Sequence, residues 1–317
     1  MKFINCKTIT LQPLKTFNSN LKPTKVKSDI FHSKDFQKKL ESFIEMALKE
    51  DVGERDHTSF ACIPANIKAE GRLLVKTDGV IAGIEVAKRI FNKLDKKITV
   101  DTFFKDGDEV RIGEIAFIVD GNARMLHTGE RLVLNVMQRM SGVATMAHNL
   151  TKLCEGTNAK VLDTRKTTPG IRLLEKWAVS IGGATNHRWG LYDMILIKDN
   201  HVHCSGGVKN AIKNAHEYLK KEKKKLEIEI EVGDFDELKE VLETGGVQRI
   251  LLDNFKPSDI SKAVKIINGR YKTEASGGIT EATLRKYAKT GVDYISVGAL
   301  THSVKSLDLS LKIYPLE

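Results

Sequence analysis

In the second half of the chain, short apolar runs end again and again in cations, acids or glycines. Lys160–Leu162 leads into Asp163-Thr164-Arg165-Lys166, and Met194–Ile197 into Lys198-Asp199-Asn200-His201. Glu231 lies at the end of Ile228–Val232, and Asp253-Asn254 follows Arg249–Leu252. Ser276-Gly277-Gly278 follows Lys272–Ala275, and Gly298 follows Tyr294–Val297. A guanidinium matches a carboxylate or phosphate through two parallel hydrogen bonds, whereas Lys supplies a point charge. Arg131, Arg165, Lys166, His187, Arg188 and Lys198 therefore suit an anionic substrate. Glu231 and Asp253 could hold Mg²⁺ through water or accept ribose hydroxyls. Ser276, Gly277, Gly278 and Gly298 offer bare backbone N–H groups, a cradle for phosphate. Together they suit a ligand with one terminal phosphate, a metal-bound polyanion and a separate partner bearing carboxylates. Phosphoryl, glycosyl and aldol-type transfer all stay open on these residues alone. One polar strand end is ordinarily a solvated turn, but six in register fit a shared site better. His201-Val202-His203 has no third soft ligand nearby and is a weak metal motif.

These residues need strands to carry them. The apolar runs alternate with amphipathic stretches of helical length, which predicts an α/β region with a parallel sheet and right-handed crossovers. Six strands make either an open doubly wound sheet or a barrel related to the eight-stranded type, and active sites in both gather at the carboxyl strand ends. Upstream, Phe36, Leu40, Phe43, Ile44, Ala47 and Leu48 form one apolar stripe of a helix that begins at Ser33. Segments 71–76, 80–84, 98–104 and 109–119 read as strands, with a helix near 85–94 between them. A helix over about 125–154 follows, with a break expected at Ser141-Gly142 because glycine costs ~1 kcal/mol inside a helix.

Length and composition limit the alternatives. The 317 residues allow about two domains. With 41% hydrophobic and 29% charged residues the chain is neither disordered nor fibrous. No apolar run approaches the ~18 residues of a membrane-spanning helix. Of the net charge of +10, six lysines in residues 1–28 contribute +6 with no acid among them, leaving +4 for the rest. That balance, with 6% aromatics, fits an enzyme for anionic substrates better than a nucleic-acid binder. Cys6, Cys62, Cys154 and Cys204 form no CxxC and read as reduced thiols. Residues 1–33 show no periodicity and read as a tail on a cytoplasmic protein, or alternatively as a plastid or mitochondrial transit segment, although such segments favour Arg.

Seven runs carry a family resemblance: Thr128-Gly129-Glu130-Arg131-Leu132-Val133-Leu134-Asn135, Asp163 to Gly170 (DTRKTTPG), Gly182 to Arg188 (GGATNHR), Ile197-Lys198-Asp199-Asn200-His201, Leu252-Asp253-Asn254-Phe255, Glu274 to Ile279 (EASGGI) and Ile295 to Thr301 (ISVGALT). In order, they resemble quinolinate phosphoribosyltransferases over about residues 34–313. The resemblance implies an N-terminal α/β sandwich (34–130), an incomplete α/β barrel of about six parallel strands (131–300) and a C-terminal segment (301–317) that returns to the first domain. It further implies that quinolinate and 5-phosphoribosyl 1-pyrophosphate (PRPP) give nicotinate mononucleotide, pyrophosphate and CO₂ with Mg²⁺, on the de novo route to NAD. Arg131, Arg165, His187, Arg188 and Lys198 are then expected around the two carboxylates of quinolinate. Lys166 and Lys198 should face the PRPP phosphates, with Glu231 and Asp253 at its ribose and metal; these four are the catalytic candidates. Ser276, Gly277, Gly278 and Gly298 should hold the 5′-phosphate. The resemblance also implies a homodimer or larger assembly, with Arg131 lent to the neighbouring subunit's site. One departure stands out: Arg55 occupies a slot that is usually glycine in Asp51-Val52-Gly53-Glu54-Arg55-Asp56-His57-Thr58.

Loss of pyrophosphate from the ribose builds positive charge on the ring, as in glycoside transfer, and attack from the opposite face predicts inversion. No protein nucleophile is required. The alternatives are a transferase of the same fold acting on another acceptor, such as a nicotinate phosphoribosyltransferase or the molybdenum-transport-associated relative, and a non-catalytic anion- or nucleotide-binding protein.

Overall fold

The computed structural model describes residues 29–316. The reading of residues 1–28 as tail or transit segment lies outside them. Residues 29–33, expected within that tail, are instead ordered into the fold: helix α1 (Asp29–His32) leads into α2 (Lys34–Val52), and Ser33 caps α2 by accepting the Phe36 N–H at 3.2 Å. Phe31 and Phe36 pack with Trp177 and Trp189 of the second domain, and Phe31 stacks on Trp177 at 5.9 Å.

After α3 (His57–Cys62) come β1 (Lys68–Val75), β2 (Gly79–Val80), α4 (Ile84–Leu94), β3 (Thr99–Thr102), β4 (Glu109–Val110) and β5 (Ile115–Asn122). The expected strand 80–84 is only two residues long. Ile81 and Ala82 are fully buried without being strand, because Ala82 exchanges both backbone groups with the Ser141 hydroxyl. The expected strand 109–119 is two strands, split by a turn at Gly113 (φ 91°). Arg55 is exposed, needs no positive φ, and lays its guanidinium 4.9 Å from the Phe60 ring centroid, so the slot tolerates a side chain.

Helix α5 (Ala123–Lys152) runs unbroken for 30 residues. The break expected at Ser141-Gly142 does not occur. Ser141 serves the 82 segment, and a Cβ at Gly142 would collide with the Lys305 carbonyl, so glycine is there for close packing. The expected domain boundary at 130/131 falls inside this helix, which belongs to both units. Arg139 on α5 donates to Glu175 Oε1 at 2.9 Å and to the Val304 carbonyl at 3.1 Å, tying the helix to the second domain.

The second domain continues with β6 (Lys160–Leu162), α6 (Arg172–Ile181), β7 (Ile195–Ile197), α7 (Asp199–Ser205), α8 (Val208–Lys221), β8 (Ile228–Val232), α9 (Phe235–Thr244), β9 (Arg249–Asp253), α10 (Pro257–Ile267), β10 (Lys272–Ser276), α11 (Glu281–Ala288), β11 (Tyr294–Ser296) and α12 (Ala299–His302). Its six strands are parallel in the order β6-β11-β10-β9-β8-β7. Chain neighbours β6 and β7 stand at opposite ends of that order, so the sheet is an incomplete barrel with its seam between them. The last strand, β12 (Leu309–Pro315), returns to the first domain and pairs antiparallel with β1, completing the sheet β12-β1-β5-β3.

Candidate active site

The carboxyl ends of the six parallel strands surround a cleft of about 800 Å³. Arg165 and Lys166 enter it after β6, Lys198 after β7, Glu231 from β8 and Asp253 from β9. Ser276, Gly277 and Gly278 line it after β10, and Gly298 after β11. His187 and Arg188 come from the seam. Arg131 is the exception. It lies on the exposed side of α5 and does not line the cleft of its own chain.

The seam segment is held by β6. Thr185 donates to the Val161 carbonyl at 2.9 Å and accepts from the Asp163 N–H at 3.2 Å, forming a one-residue parallel bridge where a strand would otherwise pair. Asp163 is fully buried; its Oδ1 accepts the His187 N–H at 2.7 Å and Lys176 Nζ at 2.6 Å, and its Oδ2 accepts Asn186 Nδ2 at 2.8 Å. Burial presses both Asp163 and Lys176 toward neutrality, and each opposes that with its opposite charge. His187 and Arg188 are thereby fixed beside Arg165.

Arg188 is half-buried, and its pKa lies below the usual value through burial and the neighbouring Arg165 charge. Two guanidiniums that repel one another at a cleft wall make a receptor for carboxylate groups. Lys198, beyond them, is ion-paired with Glu231. Asp253 accepts from Asn254 Nδ2 at 2.6 Å, and Asn254 takes a left-handed φ of 58°, a conformation that Asn adopts more readily than most side chains. Gly277 (φ 97°) packs so closely on Asn254 that no side chain fits there. The backbone N–H groups of Gly277, Gly278 and Gly298 have no acceptor among the described residues. Lys166 runs over Gly298, where a Cβ would lie 3.1 Å from Lys166 Cδ, and both line the cleft.

At the floor of the cleft, reaching it through His187 and Glu274, is a charged cluster that the strand-end reading did not single out. His187 Nε2 lies 3.0 Å from Glu229 Oε2 and 3.4 Å from Glu274 Oε2, and Arg249 Nη1 donates to Glu274 Oε2 at 3.0 Å. His187 Nδ1 accepts the Arg188 N–H at 2.7 Å, so the proton on the ring is the one at Nε2. Burial favours the neutral ring and the two carboxylates favour the charged one, raising the His187 pKa, while the Arg188 N–H at Nδ1 opposes a second proton on the ring. Burial and the Glu274 charge push the Glu229 carboxyl up to about 7. The signal was present: Glu229 and Glu274 stand two residues before Glu231 and Ser276, on the same faces of β8 and β10. His187, Glu229 and Glu274 place one ligand atom each within 4.8 Å of one another, but Arg249 already balances the acids. Glu231 and Asp253 are the better donors for Mg²⁺, being hard oxygen ligands on neighbouring strands that face the cleft. His201 of the His-Val-His run is spent on its own helix, its Nδ1 accepting the Lys198 N–H at 2.9 Å. Thr164 and Asn254 of the strand-end runs also line the cleft, and outside those runs so do Thr280 and His302; His302 follows Gly298 by four residues, one turn along α12.

Residues 143–312 match the family described as quinolinate phosphoribosyl transferase, C-terminal domain, and residues 56–141 match its N-terminal domain. The two matches meet within α5 near Gly142, eleven residues beyond the boundary expected from sequence. A chloroplastic nicotinate-nucleotide pyrophosphorylase [carboxylating] of Oryza sativa subsp. japonica is 47% identical over 289 residues, covering 86% of this chain and 77% of the relative. A mitochondrial quinolinate phosphoribosyltransferase [decarboxylating] 2 of Nicotiana glauca is 42% identical, covering 96% of this chain and 90% of the relative. The crystal structure of NadC from Streptococcus pyogenes superposes with a TM-score of 0.84 at 38% identity, covering 90% of this chain and 99% of that one. The chain belongs to the quinolinate phosphoribosyltransferase family.

Proposed function

We propose that this cleft transfers the phosphoribosyl group of PRPP to quinolinate, with loss of CO₂, to give nicotinate mononucleotide for NAD synthesis. The observation that carries this reading is the pair of adjacent guanidiniums, Arg165 and Arg188, in one cleft with the free N–H groups of Gly277, Gly278 and Gly298. The first pair receives a dicarboxylate; the second group receives a 5′-phosphate. Lys198 leaves Glu231 for the substrate anion, and Lys166 balances charge at the phosphate corner. Glu231 and Asp253 flank the ribose, where negative charge stabilises the developing cation.

The C1–oxygen bond breaks and its electron pair leaves with the diphosphate, while the quinolinate nitrogen lone pair forms the new bond to C1. The C2–carboxylate bond then breaks, its electron pair stays on C2 stabilised by the adjacent cationic nitrogen, and a proton from solvent takes that pair as CO₂ leaves. The enzyme contributes placement and charge rather than a nucleophile. Mg²⁺, held by Glu231 and Asp253 through water or PRPP oxygens, would neutralise the leaving diphosphate.

Turnover of quinolinate and nicotinate with PRPP, followed as mononucleotide formed, tests the assignment. The expected result is turnover of quinolinate and little or none of nicotinate; the reverse preference contradicts it. The human nicotinic acid phosphoribosyltransferase structure, at 15% identity and a TM-score of 0.58, shares the fold alone.

Arg131 on the outside of α5 supports a further part of the reading, a homodimer in which each chain lends this arginine to its neighbour's cleft. The lysine-rich, acid-free residues 1–28 and the chloroplastic and mitochondrial names of the two plant relatives support the organelle alternative over the cytoplasm. Imaging fluorescent fusions of the full chain and of the chain from Asp29 onward distinguishes the two.

A further inference from the structure

We propose that Glu229, Glu274 and Arg249 are positioning residues that hold the His187 ring, and through its Nδ1 the backbone of Arg188, in the geometry that binds the dicarboxylate. The inference rests on the reading of Arg188 as a quinolinate contact.

The three side chains come from adjacent strands β8, β9 and β10, with Glu229 paired in register with Arg249. Glu229 and Glu274 stand two residues before Glu231 and Ser276 on the same strand faces, a place where barrel interiors ordinarily carry Val, Ile or Leu. Glu229 and Glu274 are completely buried. Neither Glu229 oxygen nor Glu274 Oε1 has a well-aligned hydrogen bond. Burying acids there costs stability that well-packed apolar residues would not. Packing alone therefore does not account for the cluster, but the ring beside it does. The two carboxylates lie 3.0 and 3.4 Å from Nε2 and the Arg188 N–H donates to Nδ1, so charge on one side and a hydrogen bond on the other oppose rotation of the ring. Arg249 in turn holds Glu274 and stacks its guanidinium 4.4 Å from the Tyr294 ring centroid. A chain of contacts thus runs from β11 through β9 and β10 to the peptide of Arg188. Rotating the ring would turn that peptide and swing the guanidinium away from Arg165.

A double-mutant cycle on quinolinate affinity tests this. Glu274→Gln keeps the shape and removes the charge; alone it should weaken quinolinate binding by about tenfold while changing PRPP affinity less than about twofold. In the Arg188→Ala background the same change should alter quinolinate affinity by less than about twofold, because the group it positions is gone. Additive losses, or equal losses for both substrates, would overturn the proposal. Glu229→Gln repeats the cycle if Glu274→Gln does not fold. A second readout needs no substrate. In ¹⁵N-histidine-labelled protein, His187 should show a slowly exchanging Nε2–H, with fast exchange in Glu274→Gln; equally fast exchange in the parent protein and the variant overturns the proposal. Failure of the parent to bind quinolinate while this signature is present would count against the functional reading and not against the ring's support.

Discussion

Asp163, at the carboxyl end of β6, accepts the backbone N–H of His187 at 2.7 Å and so ties the segment bearing Arg188 to the strand that delivers Arg165. The same carboxylate neutralises Lys176, and both are fully buried. Removing one partner leaves an uncompensated charge in the interior, so Asp163→Asn should cost about 3–5 kcal/mol. Adding Lys176→Met should recover much of that loss. Urea unfolding of the three variants measures it, and a cost below 1 kcal/mol for Asp163→Asn, or no recovery in the double variant, would contradict the pairing.

On the proposed reading, Arg188→Ala removes a two-bond carboxylate contact from a half-buried wall. The expected loss is about 2–5 kcal/mol of quinolinate binding, or at least about thirtyfold in KM. The KM for PRPP should move less than threefold. Steady-state kinetics with each substrate varied in turn decide it; a rise for PRPP alone would place Arg188 elsewhere.

These residues were legible in the sequence because chemistry in a parallel sheet collects where strands end, and the ends were marked by polar residues. The barrel strands Ile228–Val232 and Lys160–Leu162 appear with the expected bounds. What was not legible depended on distant partners. Gly142 reads as a helix breaker until Lys305 is seen against it. The 80–84 segment has a strand's composition, but Ser141 takes its hydrogen bonds. Glu229 and Glu274 read as ordinary strand residues until register places both beside His187.

The position of Arg131 gives a test of shared sites. Arg131→Ala and Lys198→Ala should each be inactive, yet regain activity when refolded together. In a mixed dimer one cleft collects both defects and the other neither. Random assembly makes half the dimers mixed, so about a quarter of the parent activity should return. Activity at the level of the single variants, with mixed dimers confirmed by mass, would mean that Arg131 serves its own chain.

Asp106 gives a pH-dependent prediction away from the cleft. Its Oδ1 accepts the Ile84 N–H at 2.8 Å at the start of α4, its Oδ2 has no partner, and burial pushes its pKa up to about 6. A raised carboxyl pKa favours the folded state while protonated. That contribution is complete below about pH 4 and is lost as pH rises through 6. Asp106→Asn, which retains the acceptor, should therefore stabilise the protein at pH 7 by up to about 3 kcal/mol and have little effect at pH 4. Equal shifts in Tm at both pH values would contradict this.

The central claim is that one cleft joins phosphoribosyl transfer to decarboxylation, with the cationic ring nitrogen made by the first step enabling the second. Quinolinate labelled in its C2 carboxyl group measures that coupling directly. With PRPP and Mg²⁺ the protein should release labelled CO₂ in a one-to-one ratio with nicotinate mononucleotide, and without PRPP it should release none. Labelled CO₂ appearing without PRPP, or mononucleotide forming with the label retained, would contradict the account.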